Sequence, residues 1–374
     1  MNMITGYIST KNGSIPQVAT ILTMRDYLGA IRVRWGFGRD NFRVNPGIYA
    51  VGNPTETSDV FVTANYKLSF DHLRKNLDGL NAWLLVLDTK GINVWCAAGK
   101  GTFGTKELVN RVKETGLTQI VSHRRLILPQ LGAVGVAAHE VKTETASAAS
   151  TSEQLKAKAA PQAGNVNHGN FQMTNPRGFT VVYGPVRASD IKKFIENNYK
   201  ADRQMRTVYF PFWERVKLVP VDFMYRRYYL LFAMLLMFVL SGISASGLSI
   251  HQSLHVGIKA ALNLFLAYTA GIVLIPAFLP YIPGRPFALK GFMMGVVLFA
   301  VLWMTRTTGT LFTEQVSWFL LVTSIASFVA MNFTGSSTYT SLSGVKKEMK
   351  VAVPLQISFS FLGLLLFVLS RFIN

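Results

Sequence analysis

The sequence predicts an α/β, Rossmann-like domain followed by an all-α transmembrane domain of five helices. Three observations carry this reading. Strand-like apolar runs alternate with helical patterns over the first 200 residues, and long apolar runs crowd residues 223–374. Charge is also divided unevenly, with 28 basic and 17 acidic side chains in residues 1–222 against 10 and 2 in residues 223–374. A chain that is 50% apolar and 15% charged, with 26 Phe, is not disordered, collagen-like or a coiled coil.

In order along the first domain, the pattern reads as a strand at Val60 to Thr63, a helix near Phe70 to Asp78, a strand at Trp83 to Asp88 and a helix from Thr105 to Thr115. Strands follow at Gln119 to Val121, Gly135 to Ala138 and Phe179 to Tyr183, then a helix from Ala188 to Asn198. That rhythm suits a mostly parallel sheet with helices on both faces, and such sheets bind ligands at the carboxyl ends of their strands. The stretch 143–176, rich in Ala, Ser, Thr, Lys and Gln, reads as a flexible insertion in a domain covering 1–200. Aromatic and basic residues mix in 201–222, which suits a membrane-interface linker.

Five runs reach the ~20 residues a helix needs to cross ~30 Å of hydrocarbon. They lie at Met224 to Ile243, Ile258 to Ile282, Phe287 to Met304, Val316 to Phe333 and Val351 to Leu369. The N-terminus shows no basic segment followed by an apolar one, so the first 222 residues are expected to stay inside. Arg226, Arg227, Arg285, Lys290, Lys346, Lys347 and Lys350 then mark the cytoplasmic ends. The expected location is the inner (cytoplasmic) membrane, multi-pass, with the N-terminal domain cytoplasmic and the C-terminus outside. The net charge of +19 fits a basic domain beside anionic membrane lipid and calls for no nucleic acid.

Chemistry is expected where the strand ending at Asp88 gives way to GINVWCAAGKGTFG. Asn93 is a good N-cap, placing Val94, Trp95 and Cys96 in the first turn of a short helix. A helix N-terminus, with Lys100 one turn away, favours the thiolate, the form in which cysteine binds metals. The alternative is a buried cysteine packing as a small hydrophobe. Cys96 is the single cysteine, so disulfides, Cys-rich zinc sites and iron–sulfur clusters held by this chain alone are excluded. Gly99, Gly101 and Gly104 spell GxGxxG, but ten residues separate Asp88 from Gly99, too far for a dinucleotide loop, and Thr105-Lys106 reverses the order a phosphate loop requires. His251 and His255, read as lying in an outer loop, make a weak metal pair.

The unbroken Asn93-Val94-Trp95-Cys96-Ala97-Ala98-Gly99-Lys100 resembles the signature of the mercury-methylation corrinoid protein family, HgcA. VTANYKLSFDHLR from Val62, LILPQLGAVGVAAHEVK from Leu126 and GFTVVYGPVRASDIKKF from Gly178 resemble the corrinoid-binding domain shared with the corrinoid iron–sulfur protein large subunit. The five apolar runs after such a domain fit the first family, whereas the insertion at 143–176 departs from it. The resemblance implies a cobalamin-type corrinoid beneath a cap helix, with Cys96 thiolate as lower cobalt ligand. It implies methyl transfer to Hg(II), as a carbanion equivalent or a radical. It also implies a ferredoxin-like iron–sulfur partner, HgcB, as electron donor and Hg(II) carrier, and a methyltetrahydrofolate-dependent methyl donor.

Around Cys96, the resemblance gives Asn93, Val94, Trp95, Ala97, Ala98, Gly99 and Lys100 the shaping of the approach to the macrocycle. Asn65 and Tyr66 after the Val62 run, Gly132 and Gly135 after the Leu126 run, and Gly184, Pro185 and Val186 after Tyr183 stand at strand termini. Each is either a corrinoid contact or an ordinary turn residue. Two other classes of function stay open: a methyl carrier of the acetyl-CoA pathway type without mercury chemistry, and a non-enzymatic membrane sensor.

Overall fold

The computed structural model describes residues 3–147, 177–245, 247–333 and 342–373. Most of the expected 143–176 insertion, from 148 on, lies outside them, as does 334–341. Contacts divide the chain into two units, Met1–Val33 with Gly38–Val208, and Arg34–Phe37 with Tyr209–Asn374.

The first unit holds a seven-stranded sheet: β1 (Ile4–Thr10), β2 (Gly13–Val18), β3 (Gly47–Val51), β4 (Val60–Ala64), β5 (Ala82–Leu87), β6 (Arg125–Leu128) and β7 (Thr180–Tyr183), in the order β1-β2-β3-β5-β4-β6-β7. β5, β4, β6 and β7 run parallel; β3 is antiparallel to β5, and a β1–β2 hairpin closes that edge. The chain leaves β4 for β5 on one side and returns across it to β6 on the other. The carboxyl ends of β4 and β6 therefore flank a reversal of strand order, the place where open α/β sheets make a crevice.

Side-chain alternation builds two cores. Val60, Val62 and Ala64 of β4 and Trp83, Leu85 and Leu87 of β5 face one core, while Phe61, Ala82, Leu84 and Val86 face the other. Every residue of these two strands is buried, as befits strands covered on both faces. On the first face lie α3 (Val94–Lys100), α4 (Thr105–Glu114) and α5 (Leu117–Ile120); on the second lie α2 (Lys67–Asn76) and α7 (Ile191–Glu196), α6 being the helix at 138–147.

Two expected strands are absent. Gln119 to Val121 falls at the end of α5, which starts after left-handed Gly116 (φ 59°) and buries Leu117 and Ile120 one turn apart; the strand follows it as β6. Gly135 to Ala138 forms a turn and the start of α6, because Gly135 is pressed against α3 and Tyr183 Oη donates to Val136 O at 2.6 Å. Residues 143–147 of the expected insertion continue α6. Part of the expected 201–222 linker packs on this unit: Asp202 caps Arg203–Arg206, Met205 is buried, and Val186 N donates to Met205 O at 2.8 Å.

α1 (Met24–Arg34) is tied to α2 by a buried quartet of charges. Lys67 Nζ reaches Asp26 at 2.6 Å and Asp71 at 2.5 Å, and Arg74 reaches Asp71 at 2.8 Å and Asp26 at 2.9 Å. Arg74 also donates to Ala19 O. Burial alone would raise the Asp26 carboxyl, but Lys67 and the Thr23 amide and hydroxyl hold it well below the usual carboxylate range.

In the second unit, four helices among the described residues are long and apolar enough to cross a membrane: Ile250–Phe278, Phe287–Met304, Phe312–Asn332 and Ser343–Ser370. Phe212–Tyr225 and Arg227–Ser241, bent by 58°, would act as a fifth only if the broken pair serves as one span. Arg227–Ser241 alone has 15 residues, about 22 Å of helix, short of the hydrocarbon thickness. His251 and His255 lie on the Ile250–Phe278 helix one turn apart, rings 4.5 Å apart, not in a loop. Lys290 likewise sits inside a helix, 7% exposed, donating to the carbonyls of Leu279 and Ile282 at the end of the preceding one.

Arg74→Met should lower the stability of the full chain by about 3–5 kcal/mol in chemical denaturation, since it leaves the Asp26 and Asp71 carboxylates with Lys67 as their one cation. Because the folded-state pKa of Asp26 lies below its unfolded value, the quartet's contribution is present at neutral pH and is lost as pH falls below about 4, which thermal melts across pH will read.

Candidate functional site

The site is assembled at the carboxyl end of β4. Asn65 follows this strand, is 1% exposed, and uses every polar atom of its side chain locally. Its Oδ1 accepts the N–H groups of Thr89 at 3.1 Å and Gly91 at 3.0 Å and lies 2.9 Å from the Thr89 hydroxyl; its Nδ2 donates to Asp88 Oδ1 at 3.0 Å. Asn65 therefore fastens the 88–91 turn, the segment that leads from β5 into α3.

That turn needs outside support because its backbone is unusual. Lys90 and Gly91 both adopt left-handed conformations, φ 59° and 74°. Glu107 of α4 accepts the Asp88 N–H at 2.8 Å while paired with Arg111 at 2.7 Å. Partial burial pushes the Asp88 carboxyl up, yet Lys90, through its ammonium at 2.7 Å and its amide at 3.1 Å, with help from Asn65, leaves it lowered on balance. Sequence reading passed over Asp88, Thr89, Gly91 and Glu107 as positioning residues. The turn signal Thr-Lys-Gly was there, but its partner Asn65 lies 24 residues upstream.

From this anchor α3 starts at Val94. Asn93 caps it, its Oδ1 accepting the Cys96 N–H at 2.9 Å. Val94, Ala97 and Ala98 are buried in the first core, whereas Trp95, Cys96, Gly99 and Lys100 are exposed along one side. Cys96 is a free, exposed cysteine, which removes the reading of it as a buried hydrophobe. A Cβ placed on Gly99 or Gly101 would meet nothing within 4 Å, so the surface beside Cys96 is open.

The last two glycines of GxGxxG find a conformational explanation. Gly101 (φ 80°) terminates α3, and Gly104 caps α4, where a Cβ would come within 2.8 Å of Gly101 O. Between them Phe103, fully buried, wedges under the turn that follows β6. A Cβ on Gly132 would stand 2.5 Å from the Phe103 ring, and one on Gly135 would overlap the Phe103 carbonyl and reach 3.0 Å from Ala98 Cα. Gly135 O accepts the Thr105 N–H at 3.2 Å.

The sequence-predicted residues thus separate by role. Trp95, Cys96, Gly99 and Lys100 share an open face, with Asn93 at its start. Val94, Ala97, Ala98, Gly132 and Gly135 lie beneath it and hold it in place. Tyr66, 5% exposed, leads into α2. Gly184 and Pro185 are buried, joined to the end of β6 by Gly184 N to Leu128 O at 2.8 Å, and Val186 is engaged by Met205. Among the described residues no group of three or more His, Cys, Asp or Glu could hold a metal ion directly.

Comparison with known proteins places the similarity on this unit. Residues 35–159 match the protein family described as CO dehydrogenase/acetyl-CoA synthase delta subunit. The acetyl-CoA decarbonylase/synthase complex subunit gamma of Methanocaldococcus jannaschii is 39% identical over 92 residues, 24% of this chain and 19% of that protein. The same subunit of Archaeoglobus fulgidus is 33% identical over 97 residues, 25% of this chain and 21% of its own. That of Methanothermobacter thermautotrophicus is 29% identical over 147 residues, 39% and 30% respectively. The chain spans between a fifth and a third of the length of these relatives. The match at 35–159 takes in Asn65, Tyr66, all of α3, Gly132 and Gly135, and leaves out Gly184, Pro185 and Val186.

Asn65→Ala should speed hydrogen exchange at the Thr89 and Gly91 amides and lower stability by at least about 2 kcal/mol, because several buried groups lose their partner together. Asn65→Asp should not restore the turn, since a second carboxylate would face Asp88. Unchanged exchange at those amides in Asn65→Ala would show that the turn holds itself.

Proposed function

We propose that the first unit binds a corrinoid and carries a methyl group, with Cys96 thiolate as the lower ligand of the cobalt. The observation that carries this reading is the open face of α3, where one exposed soft donor stands among small residues at the carboxyl end of a parallel sheet. The match of residues 35–159, which include α3, to the family described as CO dehydrogenase/acetyl-CoA synthase delta subunit supports it. The donor set fits: a thiolate is a strong ligand for a transition metal, and Gly99 leaves room for a flat group to lie close to the helix. Trp95 and Lys100 would flank that group, Lys100 offering a cation to its polar side chains. A bound corrinoid would supply a labile cobalt–carbon bond and with it the methyl group to be transferred. The chain's own part is to hold Cys96 immobile through Asn93, the Asn65-bound turn and the Phe103 wedge.

The comparisons favour a methyl carrier of the acetyl-CoA pathway type. Hg(II) as acceptor is the narrower reading, supported by the NVWCAAGK stretch and by the apolar helices that follow the domain. In that reading the second unit anchors the carrier in the cytoplasmic membrane, a ferredoxin-like protein of the HgcB kind returns electrons, and methyltetrahydrofolate chemistry supplies methyl groups. The chain holds a single cysteine, so it provides no cluster of its own.

Purified full-length protein given hydroxocobalamin should show the visible spectrum of a thiolate-ligated corrinoid, and Cys96→Ala should lose that spectrum while melting at the same temperature. Gly99→Ala should gain up to about 1 kcal/mol of helix stability yet bind corrinoid more weakly. Identical spectra for wild type and Cys96→Ala would end the ligand assignment. Methylated protein incubated with Hg(II) should yield methylmercury if the narrower reading holds; retention of the methyl group would leave the carrier reading alone.

A further inference from the structure

We propose that the second unit carries a binding site for one anionic phospholipid with a hydroxylated headgroup, such as phosphatidylglycerol. The site is a cleft of about 940 Å³ between the Phe287–Met304, Phe312–Asn332 and Leu342–Ser370 helices, near the upper end of the size range of ligand sites.

Its lining is graded. Arg285 and Lys347 stand at one end, and neither has an ion pair among the described residues. Glu348, beside them, is already engaged: its Oε1 accepts the Ala288 N–H at 2.5 Å in the first turn of the Phe287–Met304 helix. The balance there is positive. Leu289, Phe292, Val351, Leu355 and Phe359 line the remainder with apolar surface suited to an acyl chain. Val351 and Leu355 are 65% and 53% exposed on a helix whose window is only 17% buried, so a neighbouring chain from the bilayer has open access.

Gln356 shows that more than a hydrocarbon tail belongs here. Its Nε2 donates to Ser327 Oγ at 2.8 Å, and Ser327 Oγ donates to Ala288 O at 2.9 Å, which fixes the orientation of the carboxamide. Its Oε1 is then buried without a partner, on a residue only 6% exposed that lines the cleft. A buried carbonyl left unpaired is costly, so a donor is missing. Ester and phosphate oxygens cannot donate, whereas a hydroxyl can. Through Ser327 the carboxamide is linked to Ala288, in the first turn of the Phe287–Met304 helix, and Arg285 lies three residues earlier in the chain, just before that helix. In the proposed site the phosphate faces Arg285 and Lys347, and a hydroxyl of the same headgroup faces Gln356.

The test uses the full chain in nanodiscs of phosphatidylcholine containing a minority of phosphatidylglycerol or phosphatidic acid, with retained lipids identified by native mass spectrometry. One phosphatidylglycerol should be retained in preference to phosphatidylcholine. Arg285→Gln with Lys347→Gln should reduce retention at least about tenfold, from the loss of two cations near the headgroup. The charge-keeping pair Arg285→Lys and Lys347→Arg should retain it, which separates lost binding from lost folding. Gln356→Leu should abolish the preference for phosphatidylglycerol over phosphatidic acid. Equal retention of charged and zwitterionic lipid, or retention unaffected by the double Gln variant, would overturn the proposal. Displacement of the lipid by inorganic phosphate would overturn it too, since the site would then read a free anion.

Discussion

Four hydrogen-bonding contacts at one buried carboxamide hold the candidate site together. Asn65 closes the end of β4, and its side chain takes up two amides, a hydroxyl and a carboxylate of the turn that launches α3. The turn places a lysine and a glycine consecutively in left-handed conformations, a costly one for Lys90, which Asn65 helps to hold. Everything that orients Cys96 follows from this: the start of α3, the Asn93 cap, and the side of the helix left open. Asn65 thus fixes the helix that carries Cys96 without touching Cys96 itself.

The remaining supports converge on the same helix from other directions. Phe103 fills the space below α3, and Gly132 and Gly135 allow the turn after β6 to come within contact distance of it. Residues 65–67 are held from outside by Val44 N to Asn65 O at 2.9 Å and Lys67 N to Phe42 O at 3.0 Å, and the buried charge quartet then fixes α2 and α1 behind them. Small residues and satisfied polar groups are thus concentrated beneath the exposed face. The face that carries Cys96 is therefore rigid below and open above.

The second unit shows the same economy with polar groups in apolar surroundings. Lys290, which the charge pattern marks as a cytoplasmic end, closes the turn after the preceding helix by donating to the carbonyls of Leu279 and Ile282. Ser327 and Gln356 link three helices through hydrogen bonds and leave one acceptor over, the feature on which the lipid proposal turns. Glycines again permit the close approach: a Cβ on Gly291 or Gly295 would collide with the Phe312–Asn332 helix.

Much of this was legible in the chain itself. The strands β4 and β5 announce themselves as uninterrupted apolar runs, and the Asn93 cap and the short helix follow from local residue types whose partners lie within three or four positions, whereas the exposure of Cys96 came only with the fold. Long apolar helices are likewise a matter of composition over one segment. What the chain could not disclose is whatever depends on residues distant in sequence. Gly135 to Ala138 looked like a strand because apolar residues need burial, but whether they pair with a strand or fill a gap over Phe103 is decided by what stands opposite. Asn65 reads in sequence as either a corrinoid contact or a turn residue; that it fastens a turn shows only in the fold, since its partners arrive 23 to 26 residues later. Sequence alone determined which stretches are apolar and where the capped helix α3 begins; the tertiary structure decided which polar groups meet and which short apolar stretches become helix, because hydrogen bonds are short and directional and exist only once the sheet has brought strand ends together.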